Sequence, residues 1–293
     1  MHRTTLALAA LALLPALAAA QPLTLEKLQQ TGTIRIGHRE SSVPHSYLVG
    51  TRPMGFSMEI CDHVVDDLRK QLKRPDLKVE YVSVTSANRI PLVQNGTVDL
   101  ECGSTTNNAT RQQQVSFAVN TFYTGSRLLA RKTSPVNGYA DLKGKPVVST
   151  TGTTNYQVMR KYAADKGLDI TLMGGKDHAD SMLMVEVGRA AAFVMDDILL
   201  YGLVANAKNP QDWKVVGEAL QVEPYAMMMR KDDPKFKAAV DGTIKRLMKS
   251  GEFDAIYNKW FLAPIPPRMV PLNVPMSDEL RRNLKEQSDK PAA

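Results

Sequence analysis

Residues 77–102 read LKVEYVSVTSANRIPLVQNGTVDLEC. The first eight are rich in β-branched residues and carry Tyr81, which is a strand pattern. Residues 86–95 read as a short helix, and Gly96 takes the glycine position usual after a helix end. Residues 98–102 are a further strand. Upstream, residues 33–39 alternate around Ile34 and Ile36. Phe56, Ile60, Val64, Leu68 and Leu72 then recur every fourth position, with Cys61 and Val65 beside them. That spacing puts them on one face of an amphipathic helix. Residues 33–102 therefore read β-α-β-α-β, which predicts a parallel sheet with helices on its faces.

The pattern returns further along the chain without sequence repetition. Residues 145–150 read as a strand, 154–166 as a helix, 170–173 as a strand, 179–187 as a helix stopped by Gly188, and 190–195 as a strand. Residues 123–131 and 225–230 are extended and predict two crossings between lobes. The expected architecture is a two-lobed α/β fold of the type II periplasmic-binding-protein kind. Each lobe is a mostly parallel sheet flanked by helices, and two strands form the hinge. The chain divides into residues 1–20, 21–125 (first lobe), 126–226 (second lobe), 227–275 (return to the first lobe) and 276–293 (C-terminal tail). Residues 233–260 read as one long helical stretch, and residues 289–293 as a disordered end.

Residues 1–20 have the form of a secretory signal peptide. His2 and Arg3 precede an apolar run, and Ala18-Ala19-Ala20 offers a cleavage site before Gln21. No later run approaches the ~20 apolar residues of a spanning helix. The net charge of +7 is scattered, with no run of five like charges. It fits solubility and mild steering of anions better than a nucleic-acid surface. The two cysteines, Cys61 and Cys102, lack the CxxC spacing of metal or redox sites. In an exported protein they suggest a disulfide, since Cys61 lies on the sheet-facing side of a helix and Cys102 ends a strand. Two separate buried thiols are the other option.

Ligands of parallel α/β sheets bind beyond the carboxyl ends of the strands. Arg39 follows the first strand, Ser86 and Arg89 the second, Ser104 and Thr106 the third. In the second lobe Thr154, His178 and Asp196 hold equivalent positions. Arg111 follows within NNATRQ, at a helix start capped by Asn107 or Asn108. Arginine grips a carboxylate through two parallel hydrogen bonds, so three arginines suit a ligand with two carboxylates. Asp196 suits an ammonium group, while Asp197 is free to cap the following helix. Each residue also has a plain structural reading: Arg39 could pair with Glu40, and His178 could be a core histidine. Met227–Met229 read as packing rather than a metal box. No serine elbow, Cys-His pair or HExxH is present.

GHRESSVPHSY from residue 37, TSANRIPLVQNGTVDLECGSTTNNATRQ from 85, ADLKGKPVVSTTGTT from 140, KDHADS from 176, GRAAAFVMDD from 188 and MRKDDPKF from 229 occur in one order. In that order the chain resembles the bacterial periplasmic glutamate/aspartate-binding proteins of solute-binding family 3. The resemblance runs from about residue 25 to 285. It implies a monomer in the periplasm, without cofactor or metal, that delivers L-glutamate or L-aspartate to the membrane permease of an ABC transporter. It further implies that Arg111, Ser104, Thr106 and Thr154 hold the α-carboxylate and Asp196 the amino group. Arg39, Arg89, Ser86 and His178 would surround the side-chain carboxylate. Thr110 stands where the family usually has Glu before its arginine. Related periplasmic dehydratases make an enzyme the alternative, with Glu40, Glu101 and Asp99 as conceivable acids and Glu40 the best of them. A sensor domain is a third reading.

Overall fold

A computed structural model describes residues 22–292, so the leader read over residues 1–20 and its junction at Gln21 lie outside the described residues. The chain begins with α1 (Thr24–Thr31) and β1 (Thr33–His38), then a small antiparallel sheet of β2 (Ser41–Ser42), β3 (Ser46–Val49) and β4 (Arg52–Met54). Helix α2 (Phe56–Gln71) follows, then β5 (Lys78–Ser83), α3 (Arg89–Gln94), β6 (Leu100–Glu101), the one-turn α4 (Ala109–Gln112) and β7 (Val115–Phe117). Phe56, Ile60, Cys61, Val64, Val65 and Leu68 of the four-residue repeat are buried in one apolar cluster with Ile34, Ile36 and Leu100 of the sheet, and Leu72 packs partly buried against it. Each such side chain contributes roughly 1.5–3 kcal/mol by leaving water.

Strand β8 (Phe122–Arg131) carries the chain into a second sheet. There follow β9 (Lys145–Thr150), α5 (Thr154–Asp165), β10 (Ile170–Gly175), α6 (His178–Glu186), β11 (Ala192–Asp196), α7 (Asp197–Asn206) and β12 (Trp213–Val216). Strand β13 (Val222–Tyr225) pairs back along β8, and β14 (Met228–Arg230) re-enters the first sheet. Helices α8 (Pro234–Ser250), α9 (Glu252–Phe261) and α10 (Asp278–Glu286) complete the first lobe.

The first sheet runs β5-β1-β6-β14-β7 and the second β10-β9-β11-β8-β12. Each is mixed. The three strands of each β-α-β-α-β unit are parallel, and the strands supplied by the crossing segments pair antiparallel. A chain that leaves a lobe and returns beside its own exit must run the opposite way. The two crossings lie side by side: Ala118 N donates to Met227 O at 3.0 Å and Thr121 N to Tyr225 O at 2.8 Å. Met227, Met228 and Met229 are buried, with Met227 and Met229 in one apolar cluster and Met228 in another. That is strand alternation, in keeping with packing.

Two expectations change. The helical stretch 233–260 is broken at Gly251, whose φ of +82° ends α8 and starts α9; that backbone region suits glycine. The chain end is tied down as far as Ala292. Asn107 Nδ2 donates to Asp289 O at 2.9 Å and Asn120 Nδ2 to Lys290 O at 2.9 Å, while Ala292 N donates to Asn107 O at 2.9 Å. The partners lie far away in sequence, so local composition could not show them. Cys61 and Cys102 are joined by a disulfide that ties α2 to the end of β6, with Cα atoms 6.4 Å apart. Among the described residues no helix is long and apolar enough to cross a membrane, and no cluster of His, Cys, Asp and Glu could hold a metal.

Candidate functional site

The carboxyl ends of β1, β5 and β6 face those of β9, β10 and β11. Eight of the nine expected site residues (Arg39, Ser86, Arg89, Ser104, Thr106, Arg111, His178 and Asp196) are buried there, and Thr154 is half-buried. Three buried arginines in one place are unusual, because an unpaired buried charge is costly. Their partners are mostly backbone oxygens. Arg89 Nη1 donates to Ser104 O at 3.2 Å, Arg111 Nη1 to Thr106 O at 2.9 Å, and Arg111 Nη2 to Gly152 O at 3.2 Å across the interlobe gap. Burial, and then the Arg111 charge, lowers Arg89 to about 9, which still leaves it protonated at neutral pH. Burial also lowers Arg111, against the opposing pull of Glu223 and Asp196.

Arg39 does not pair with Glu40. Glu40 is exposed and accepts from Ser83 Oγ at 2.5 Å, so it lies outside this buried group, whereas Glu101 is buried and accepts from Thr105 Oγ1 at 2.7 Å. Arg39 Nη2 instead donates to Asp177 Oδ1 of the opposite lobe at 2.6 Å. Ser41 Oγ donates to the other oxygen of Asp177 at 2.6 Å. Burial raises Asp177, but His178 and Arg39 outweigh it and hold the carboxylate below its usual range.

The role of His178 follows from counting hydrogens. Ser181 Oγ donates to the carbonyl of Asp177 at 2.8 Å, so its one hydrogen is used. Thr150 must therefore be the donor in its 2.9 Å bond to Ser181. Nδ1–H of His178 must then donate to Thr150 in the 2.9 Å bond between them. That leaves Nε2 as an acceptor, 3.4 Å from Arg39 Nη2. Burial, then the Arg39 charge, keeps the ring neutral by pushing its pKa well down. In this arrangement His178 is in place to orient Arg39, with no ring hydrogen free for a carboxylate.

A similar count applies to Thr106 and Thr154. Their hydroxyls lie 3.3 Å apart across the lobes. Both donate to Glu223 Oε2, at 2.8 Å and 2.6 Å. Neither has a hydrogen left for a ligand carboxylate in this arrangement. Arg111 is at a helix only one turn long, with Asn108 Oδ1 accepting from Arg111 N at 2.9 Å. Asp196 stands at the N-cap of α7 but its side chain makes no cap bond, while Asp197, the first helical residue, accepts at Oδ1 from Ile198 N at 2.7 Å and from Thr124 Oγ1 at 2.7 Å. Tyr225 OH donates to Asp196 Oδ2. Burial, and then the Glu223 charge, raises Asp196 to about 7. Next to this group a cleft of about 610 Å³ is lined by Arg111, Gly152, Thr154, Gln221, Glu223 and Ala292 among others. A second cavity of about 460 Å³, beside Met54, Trp260 and Ile265, contains none of the site residues.

Two lobes closing polar side chains between facing strand ends is the arrangement of a ligand trap. Residues 34–263 match the family of bacterial extracellular solute-binding proteins, family 3. The chain belongs to that family. This solute-binding protein is 50% identical over 272 residues to the L-glutamate/L-aspartate-binding protein of Pseudomonas aeruginosa, covering 92% of this chain and 90% of that one. It is 45% identical over 268 residues to the glutamate/aspartate import solute-binding protein of Escherichia coli strain K12, covering 91% and 89%. Among solved structures, the solute receptor for L-cysteine of Neisseria gonorrhoeae aligns with a TM-score of 0.73 at 25% identity, covering 88% of this chain and 98% of that one. These relatives are binding proteins, and the chain is a solute-binding protein rather than an enzyme.

Sequence reasoning missed three carboxylate or phenol groups of the solute-binding protein's site. Asp177 sits in the KDHADS stretch and could have been suspected beside His178. Glu223 and Tyr225 lie on β13; Tyr225 opens the run read only as a returning segment, Glu223 precedes it, and a lone glutamate before proline gives no signal.

Proposed function

We propose that this protein is an exported receptor that captures L-glutamate or L-aspartate between its lobes and presents it to the permease of an ABC importer. The observation that carries the reading is a set of buried polar atoms with no hydrogen-bond partner. On one side are the donors Nε and Nη1 of Arg39 and Nε of Arg89, with Ser86 Oγ and the acceptor Glu101 Oε1; on the other are the acceptor Oδ1 of Asp196 and the donor Nδ2 of Asn155, while His45 Nε2 belongs to the aromatic core. Each unmet buried group costs roughly 1–3 kcal/mol, more when charged. A molecule with carboxylates for the arginine donors and an ammonium for Asp196 would satisfy both.

In this reading the side-chain carboxylate meets Arg39, Arg89 and Ser86, with His178 fixing Arg39. The α-carboxylate meets Arg111, beside Ser104, whose own hydroxyl donates to Ser42 Oγ at 3.1 Å in this arrangement, and Asp196 takes the ammonium. Arg111 belongs to the first lobe and Asp196 to the second, so one ligand ties the lobes and shifts the population toward the closed form. The names of the relatives supply the ligand class. The lobe boundaries at residues 125, 226 and 275, removal of residues 1–20, a periplasmic location and a monomeric state belong to the same proposal.

Calorimetric titration of the mature protein tests it. L-glutamate or L-aspartate should bind at micromolar affinity or better, about −8 kcal/mol. Glutamine and asparagine should bind far more weakly, because a neutral amide leaves buried guanidinium groups without a counter-charge. Equal affinity for glutamine and glutamate would overturn the assignment.

A further inference from the structure

We propose that Glu223 is a specificity-determining residue: from the crossing strand it takes the hydroxyl hydrogens of Thr106 and Thr154 and makes that side of the cleft an acceptor pole requiring an ammonium group. The inference rests on the reading of the cleft as an amino-dicarboxylate site. Glu223 is 2% exposed. Its Oε2 receives Thr106 from the first lobe at 2.8 Å and Thr154 from the second at 2.6 Å. Its Oε1 receives the amide of Gln221, which fixes the plane of the carboxylate.

A hydroxyl has one hydrogen and two lone pairs. With both hydrogens held by Glu223, Thr106 and Thr154 can show only lone pairs to anything between them. A ligand carboxylate would face two acceptors and a like charge there. A group with N–H donors would be welcomed. The second observation is the charge of Glu223 itself. Among the described residues it makes no ion pair within 4.0 Å. A buried carboxylate without a cation is costly. The nearby Asp196 is buried too, with Oδ1 unpartnered, and the Glu223 charge acts on it directly. Two carboxylates and two hydroxyl oxygens thus lie near one another with Arg111 as the one cation acting on both carboxylates, and it makes no ion pair within 4.0 Å with either. An α-ammonium supplies the missing charge and three hydrogens.

The pole is also built across the lobes. Glu223 stands on neither β6 nor α5, yet it joins the residues that follow β6 to those that open α5. It can hold both hydroxyls only when the lobes have met, so the acceptor pole is complete only in the closed form. An open protein would accept a carboxylate on its arginines, and the amino group would be read at closure.

The test compares L-glutamate with glutarate, the dicarboxylate of equal chain length without the amino group, by titration calorimetry on wild type and Glu223→Gln. Wild type should prefer glutamate by at least about a hundredfold. Glu223→Gln should weaken glutamate at least tenfold and leave glutarate unchanged or tighter, so that the ratio falls by at least tenfold. A structural prop would weaken both ligands alike; an unchanged ratio would therefore overturn the proposal. So would glutarate binding wild type as tightly as glutamate does, a result that needs no variant to fold. If wild type binds neither glutamate nor aspartate, the underlying functional reading fails, and that outcome is separate from a failed ratio.

Discussion

The two lobes meet with opposite chemistry. The first brings donors: Arg39, Arg89 and Arg111, all buried, with Ser86. The second, with the crossing strand, brings acceptors: Asp177, Asp196 and Glu223. The three arginines each follow a strand of one parallel unit, so their positions come from a single repeated geometry. The acceptors come from three different elements and act partly on the protein itself. Asp177 holds Arg39, and Glu223 holds Thr106 and Thr154. The difference suggests a division of labour: the first lobe attracts a dianionic ligand, and the second decides whether closure succeeds.

Removing a donor should have the largest effect. Arg111→Ala is expected to weaken every ligand by roughly 3–5 kcal/mol, since it strips a buried charge of its partner. Calorimetry with glutamate, aspartate and glutamine checks this. Arg39→Ala should weaken the acidic ligands selectively, and intact glutamate affinity in that variant would remove Arg39 from the donor pole.

On the acceptor side the effect is a pH dependence. In the ligand-free protein Asp196 is raised to about 7 from an ordinary 3.8. Between those values the folded protein holds a proton that the unfolded chain has released, so this group's contribution to stability falls as pH rises through that window. An ammonium favours the ionised form. Binding below pH 7 should therefore release a proton, and affinity should climb with pH up to about 7 and then level. Titrations in buffers of different ionisation enthalpy at pH 6 read the proton directly. Asp196→Asn should abolish the release.

A smaller effect separates closure from chemistry. A Cβ on Gly202 of α7 would lie 2.2 Å from Val43 O in the first lobe. Alanine is preferred to glycine within a helix by roughly 0.5–1 kcal/mol. Gly202→Ala should keep or raise the melting temperature of the ligand-free protein, yet lower glutamate affinity on the order of tenfold by depleting the closed form. A lower melting temperature with unchanged affinity would show that Val43 and Gly202 touch in every state. The smallest readout concerns Cys61 and Cys102: denatured, unreduced protein should show no free thiol, whereas two would refute the link.

Most of the first lobe was legible because its signals are local. The four-residue repeat of α2 and the β-branched runs of β1 and β5 need no distant partner. The arginines could be placed because strand ends in parallel sheets converge on one side. What stayed hidden depends on contacts between remote residues. The small sheet β2–β4 has strands of two to four residues around Pro44, too short for a periodic pattern. The tail at 289–292 is ordered by Asn107 and Asn120, more than a hundred residues away. The tautomer of His178 could not be read from sequence either, because it is set by Thr150 and Ser181. Glu223 carried no motif; its importance lies in two hydroxyls that the fold brings together.

The central claim is that one ligand satisfies both poles only when the lobes close on it. Small-angle X-ray scattering of the wild-type protein with and without saturating L-glutamate measures this directly. The account predicts a smaller radius of gyration with glutamate, and a weaker compaction in Asp196→Ala. An identical radius for the wild-type protein in both conditions would contradict it.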